Sequence, residues 1–275
     1  MTAHDVVAVV RRRLKTRRVG HAGTLDPLAA GVLPVAVGSF TRLLPYLEGG
    51  KTYRAEIAFG RSTTTGDAAG ETIAMAAAEI EADALLAVLA RFRGTITQRP
   101  PAYSAIHVDG RRAYELARAG VAVEVPSRQI EVARLELLGL AKAARTDAEP
   151  GPRALLEVDC SAGTYIRSLA EDIGRALGVP AHLAFLLRTR AGAFDLAEAF
   201  LLEEPWEFAD VDRVLAHLPR LDIGADLAAD LRLGRAIPAP GLSGRARAMH
   251  GSDIVALGAV SGERFWPKTV LPREP

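Results

Sequence analysis

The chain has 275 residues, of which 49% are hydrophobic and 24% charged, with a formal net charge of +1. That length suits one large domain or a large domain with a small appendage, and the composition is that of a soluble globular protein. No apolar run approaches the ~18 residues that cross a bilayer. His4 and Asp5 come before the short stretch Val6 to Val10 and the arginines after it, the reverse of a secretory leader, so a cytoplasmic protein without a membrane role is expected.

Cys160 is the only cysteine, which rules out an internal disulfide and a thiolate zinc cluster. It follows the strand-like run Leu155 to Asp159 and reads as a small buried side chain rather than a nucleophile. The six histidines form no helical pair and no ligand cluster, so no metal is expected. Neither a G-x-x-x-x-G-K-[ST] loop nor a G-x-G-x-x-G turn after a strand is present, which leaves ATP and NAD unsupported; no cofactor is expected.

In chain order, Thr2 caps a helix whose apolar stripe is Val6, Val7, Val10 and Leu14. At its C-terminal end, where the helix dipole favours cations, Arg11, Arg12, Arg13, Lys15, Arg17 and Arg18 lie within eight positions with no acid among them. Such a run is either a solvated helix end or a phosphate-binding surface. Gly20 to Pro27 is too rich in glycine for a regular element and reads as a loop, with the apolar run Leu28 to Val37 behind it. Within it, Asp26 and Pro27 fit the N-cap and first turn of a short helix. They fit equally a carboxylate at the end of a loop whose glycines, Gly20 and Gly23, let backbone approach a ligand.

From Thr52 to Phe59 apolar and polar residues alternate, the period of a half-buried strand, with Tyr53 on the inward face. Glu81 to Phe92 reads as a helix closed by Gly94, and Ala113 to Ala119 as a shorter one closed by Gly120. Gln98 to Ala105, with two prolines, is a rigid connector. Strands are predicted over Gln129 to Leu140 and Ala154 to Cys160, pairing antiparallel across the Pro/Gly-containing stretch Arg145 to Arg153. Thr164 to Leu177 is the clearest helix, with Ile166, Leu169, Ala170, Ile173 and Leu177 on one face and Gly178 after its end. Arg167 stands in its first turn, where the dipole disfavours a cation; a carboxylate partner would compensate it, and the alternative is a side chain that reaches to solvent. Beyond about Pro219 the segments become short and rich in glycine and proline, including Ile254 to Val260 and Arg264 to Leu271, which predicts a small β-rich appendage. The fold class expected is therefore α+β, with a mixed, mostly antiparallel sheet in a catalytic domain over residues 1–218 and an appendage over 219–275.

Val19-Gly20-His21-Ala22-Gly23-Thr24-Leu25-Asp26-Pro27-Leu28-Ala29-Ala30-Gly31-Val32-Leu33-Pro34 resembles the signature of the tRNA pseudouridine synthase B family. The likeness continues at Lys51-Thr52-Tyr53, at Gly60 to Asp67, at Arg99 to Arg112, at Gly163-Thr164-Tyr165-Ile166-Arg167-Ser168-Leu169, and at Gly178 with His182 to Arg188. These blocks fall in the family's order over roughly residues 2 to 192.

The resemblance implies an isomerase that flips uridine 55 out of the tRNA T loop and converts it to pseudouridine. It implies a pseudouridine synthase fold with a reduced PUA-like RNA-binding domain as the appendage. In this reading Asp26 is the catalytic aspartate and Arg167 its ion-pair partner. Tyr53 packs on the target base and helps remove its C5 proton. His21 fills the space the flipped nucleotide leaves, and Leu186 lines the base pocket. Gly23, Tyr165 and Arg188 belong to the same RNA-contacting blocks, and Arg11, Arg12 and Arg13 supply phosphate contacts that carry affinity without selecting the site.

The expected partner is the tRNA T stem-loop, with no guide RNA and a monomeric enzyme. Three departures stand out. The family's usual strand and Lys-Pro-x-Gly turn would precede Thr2, a truncated or missing first strand being expected; His107 stands where lysine is common, and Thr64 where an acid is common. The alternative reading is a tRNA-folding chaperone on the same fold, with weak or no catalysis.

Overall fold

The computed structural model describes residues 1–104, 106–108, 110–121, 123–141 and 151–272. The last residue of the expected connector Gln98 to Ala105, and most of the loop expected over Arg145 to Arg153, lie outside the described residues. In chain order the elements are helix α1 (Ala3–Arg13), strands β1 (Val19–His21), β2 (Ala29–Gly31) and β3 (Val35–Val37), a 3₁₀ segment (Gly38–Tyr46), and strands β4 (Lys51–Phe59), β5 (Arg61–Thr63) and β6 (Thr72–Met75). Then come α2 (Ala82–Ala90), β7 (Gly94–Gln98), β8 (His107–Val108), β9 (Arg111–Arg112), α3 (Ala113–Arg118), β10 (Arg128–Ala141), β11 (Arg153–Cys160), α4 (Ile166–Leu177), β12 (Ala181–Ala191) and β13 (Phe194–Asp195). The last elements are α5 (Val211–Val214), β14 (Arg220–Asp222), α6 (Ala225–Arg232), β15 (Ile237–Pro238), β16 (Gly244–His250), β17 (Asp253–Ser261) and β18 (Arg264–Val270).

The chain forms two compact units. One gathers Met1–Pro27, Leu33–Glu48 and Gly192–Pro275; the other holds Leu28–Val32 and Gly49–Ala191.

The second unit is built on a sheet in the order β12-β4-β11-β10-β7, each neighbouring pair antiparallel, with β2 added parallel to β12. β4 is the expected alternating strand. Tyr53, Ala55, Ile57 and Phe59 face a core completed by Leu156 and Val158 of β11, Leu183 and Leu186 of β12, Leu85 and Leu89 of α2, and Leu169 and Ile173 of α4. Burial of this kind contributes about 1.5–3 kcal/mol for each large side chain. Because the period of a strand is two, the register fixes which side chains share that face: Leu186 stands opposite Ala55 and Arg188 opposite Tyr53. β10 and β11 pair antiparallel as predicted. Helix α4 starts two residues after Thr164 and ends on Gly178 at φ 75°, the left-handed cap that glycine adopts without steric cost.

In the first unit, α1 opens on a capping box in which Thr2 and Asp5 bond each other's backbone. Its face, Val7 and Val10, packs with Val19 and Trp206. Two expectations need correction here. Val19-Gly20-His21 is a strand, β1, paired antiparallel with Val35–Val37, so its ladder overrides the glycine. Asp26 begins no helix: Pro27 and Leu28 form a turn that leads directly into β2.

The five-stranded sheet β14-β16-β17-β18-β15 lies within the stretch expected to be β-rich, and it also carries α6, which the sequence reading did not anticipate. The buried Arg247 ties the sheet to the segment before it, donating to Asp212 Oδ1 at 2.8 Å, to the Leu215 carbonyl at 2.7 Å and to the Leu218 carbonyl. Among the described residues, no helix is long and apolar enough to cross a membrane.

Candidate active site

Arg167 is a tightly held charged group of the second unit, with only 5% of its side chain exposed. It donates through Nη1 to the Thr65 carbonyl at 2.9 Å and through Nη2 to the Tyr103 carbonyl at 3.0 Å. The carboxylate Oδ2 of Asp67 lies 3.7 Å from its Nε. A cation in the first turn of α4 opposes the helix dipole, and this carboxylate with the two carbonyls offsets the conflict.

Asp67 is itself held in a tight turn. Its Oδ1 accepts from Thr65 Oγ1 at 2.7 Å and from the Ala69 N–H at 3.0 Å, while Thr63 Oγ1 donates to its carbonyl at 2.7 Å. The turn requires glycine at position 66. Its φ is 71°, and a Cβ there would meet Glu171 Oε1 at 2.8 Å.

The residues before Arg167 are fixed by a second device. The buried Gln98 side chain accepts from the Tyr165 N–H at 2.8 Å and donates to the Tyr165 carbonyl at 3.0 Å, pinning the start of α4 to the end of β7. The Tyr165 ring lies under the Arg128 guanidinium, 5.1 Å from its centroid. Ser168 Oγ donates to the Arg99 carbonyl at 2.9 Å.

Tyr53, Leu186 and Arg188 come together on one face of the sheet, all buried. Arg188 donates through Nε to the Val32 carbonyl at 2.7 Å, and the Val32 N–H donates back to the Arg188 carbonyl at 2.9 Å. Gly31, at φ 105°, presses its backbone so closely on the Arg188 carbonyl that a Cβ would collide with it. On the neighbouring strand, burial pushes the Cys160 thiol up to about 11, so it stays protonated at neutral pH and fills space, as expected.

The other predicted residues belong to the first unit. His21 ends β1, Gly23 turns the chain at φ 78°, and the Ala22 N–H donates to the Pro34 carbonyl at 2.9 Å, which closes the loop on itself. Asp26 is half-buried in the irregular segment that follows. Of the basic cluster, Arg13 donates to the Leu202 carbonyl at 2.7 Å and stacks over the Trp206 ring at 4.0 Å. Arg11 reaches the Val19 carbonyl at 3.3 Å, and Arg12 is exposed.

Sequence reasoning assigned no role to Asp67 or Gln98. The signal for Asp67 was present as Thr63, Thr65, Gly66 and Asp67 in one short run, the composition of an Asx-type turn. Gln98 gave none, since one buried amide has no pattern.

Glu171, one turn after Arg167, has its carboxyl raised by burial first; Asp172 and Asp67 add to the rise, while Arg175 and Arg167 oppose it. A carboxyl raised in the folded state adds stability that is complete below its ordinary value of 4.5 and is lost as pH rises through the raised value. Glu171→Gln is therefore expected to melt higher than the parent at pH 7 and equally at pH 4. The gain stays under about 1 kcal/mol because the group is partly solvated. Melting curves at the two pH values check this, and a lower melting temperature at pH 7 contradicts it.

A mostly antiparallel sheet backed by helices, followed by a β-rich C-terminal part, is a fold of the Cbf5/TruB pseudouridine synthase type. A chain of an H/ACA RNP bound to a substrate RNA containing 2'-deoxyuridine superposes with a TM-score of 0.69 at 25% identity, covering 99% of this chain and 82% of that one. A chain of a Cbf5-Nop10-Gar1 complex gives 0.67 at 27% identity, with 100% and 81% covered.

Residues 11–166 match the TruB family pseudouridylate synthase N-terminal domain and residues 167–208 the tRNA pseudouridylate synthase B C-terminal domain. The tRNA pseudouridine synthase B of Moorella thermoacetica is 54% identical over 207 residues, 74% of this chain and 66% of that protein. That of Synechococcus sp. is 41% identical over 283 aligned positions, 98% and 94% of the two chains. The chain belongs to the TruB family of pseudouridylate synthases, isomerases that act on tRNA uridine.

Proposed function

We propose that this chain isomerises the T-loop uridine of tRNA to pseudouridine by itself, as a monomeric cytoplasmic enzyme without guide RNA. The observation that carries the reading is the buried sheet face where Tyr53, Leu186 and Arg188 meet, in a chain of this family. That face offers an aromatic ring for stacking and an aliphatic wall, the two surfaces an extruded pyrimidine needs.

Asp26 is the proposed catalytic carboxylate, and Arg167 is proposed as a second catalytic residue. The reaction breaks the N1–C1′ bond, turns the bound uracil, and joins C5 to C1′; C5 loses a proton and N1 gains one. The balance is redox-neutral and needs no ATP. Tyr53 stacks on the base and assists removal of the C5 proton, Leu186 lines the pocket, and His21 occupies the gap in the T loop. Extrusion costs on the order of a few kcal/mol, which RNA contacts made by the chain offset.

Arg11, Arg12 and Arg13 bind phosphate in this reading, and residues 219–275 form the PUA-like RNA-binding part. A chaperone without chemistry is the competing account. Incubating the protein alone with an unmodified tRNA transcript separates the two. Pseudouridine at the T-loop position supports the enzyme; tRNA binding with no product supports the chaperone and overturns this reading.

A further inference from the structure

Lys51 occupies an unusual place. It opens β4 two residues before Tyr53, and since side chains of a strand alternate, the two share a face. The register puts Lys51 opposite Cys160 on β11 and Ala191 on β12, one row beyond the row that joins Tyr53, Val158 and Arg188. The lysine thus stands at the rim of the buried face that holds Tyr53, Leu186 and Arg188. Its backbone is held tightly there. Cys160 Sγ donates to the Lys51 carbonyl at 3.6 Å, and the preceding Gly50 lies so near β11 that a Cβ would meet the Cys160 carbonyl at 2.8 Å.

The nearest acid on the adjoining strand is not available to it. Asp159 is opposite Thr52, so it points to the other face, where both its oxygens accept from Arg190 Nη2 at 3.0 Å and one from Thr52 Oγ1 at 3.2 Å. Among the described residues, Lys51 makes no ion pair and no side-chain hydrogen bond. The charged group that acts on it is Arg188, a second cation. Burial first and Arg188 second lower its pKa, and the Cys160 thiol, protonated at neutral pH, supplies no counter-charge. A half-buried ammonium beside another cation destabilises the fold. A cation held at such a cost on the rim of a buried face is placed to meet an opposite charge from outside.

We propose that the Lys51 ammonium binds a backbone phosphate flanking the extruded uridine, anchoring the sugar-phosphate while the base rests on Tyr53. Two residues along a strand separate the ring from the lysine stem by about 7 Å, a span that a nucleotide covers from base to phosphate. The assignment rests on the functional reading above and adds to it a residue that fixes the substrate's backbone at the rim of the pocket.

The test uses the whole protein and T-loop hairpin RNAs in which one phosphate, 5′ or 3′ of the target uridine, is replaced by an uncharged methylphosphonate. For the parent enzyme, one of the two replacements is expected to raise KM by about tenfold, the loss of one charge-assisted hydrogen bond. Lys51→Met is expected to raise KM by the same factor on the all-phosphate RNA and to show no further rise on the methylphosphonate RNA. Its melting temperature is expected to equal or exceed the parent's, which a lysine with a structural role would not allow. Lys51→Arg is expected to restore part of the loss.

An unchanged KM in Lys51→Met, or an undiminished methylphosphonate penalty in that variant, overturns the proposal. Should Lys51→Met fail to fold, the parent enzyme decides alone: no penalty at either linkage overturns it. Absence of pseudouridine from the parent on all-phosphate RNA is a different result and counts against the functional reading instead.

Discussion

Asp26→Asn is expected to reduce turnover by at least about 10³-fold, the scale of an essential acid–base or nucleophilic group, while tRNA affinity stays within about tenfold. Asparagine keeps the shape of the side chain in the loop that the Ala22–Pro34 hydrogen bond closes, so the backbone that carries it is not disturbed. What is lost is the ability to carry negative charge. Affinity rests instead on phosphate contacts and RNA shape, which the substitution leaves in place. Single-turnover formation of pseudouridine on a T-loop transcript, with a binding titration at the same salt, measures both quantities. Near-normal turnover removes Asp26 from the mechanism.

The second large effect is expected from Arg167→Met. The buried Arg167 has a carboxylate, Asp67, 3.7 Å from its Nε and two backbone carbonyls as acceptors. Methionine fills much of the same volume but leaves Asp67 as a buried charge without its cation, which costs about 3–5 kcal/mol. For a chain of this size that lowers the melting temperature by about 5–9 °C. Turnover is expected to fall further than the loss of folded protein explains, because Arg167 is itself a proposed catalytic residue. Arg167→Lys separates the two contributions: it keeps the charge but lacks the planar fork that serves Thr65 and Tyr103 together, so a partial recovery of stability with little recovery of turnover is expected. An Arg167→Met protein that melts and turns over like the parent refutes both assignments.

The elements that could be read from the sequence are those with local causes. The Thr2–Asp5 capping box, the alternation along β4, the apolar stripe of α4 ending at Gly178 and the antiparallel β10–β11 pair all follow from short-range pattern. β12 escaped because it lies between β4 and β2 and carries the buried polar residues His182 and Arg188, so no simple alternation marks it. β1 and β2 are three residues each and exist only through their partners, β3 and β12. α6 was hidden by the glycines and prolines that flank it.

The site divides in the same way. Asp26, Tyr53 and Arg167 stand out by their local setting, a carboxylate ending a glycine loop, an inward aromatic on a strand and a cation in a helix's first turn, and the family resemblance supplies their roles. The Asp67 turn and the Gln98 clamp are tertiary arrangements joining residues up to 102 positions apart, for which a linear pattern carries no sign.

The discontinuous make-up of the first compact unit bears on how the protein is born. Its opening helix leaves the ribosome early, yet Leu202, which accepts from Arg13, follows 189 positions later, and Trp206, under the same guanidinium, later still. Synthesis at about 5–20 residues per second leaves that helix without its mate for roughly ten seconds or more. The residues from Gly49 to Ala191 emerge meanwhile as one uninterrupted stretch. Asp26 therefore waits in a half-made neighbourhood until Trp206 has been made, and nascent chains released before Trp206 carry the aspartate but not the packing that completes its unit.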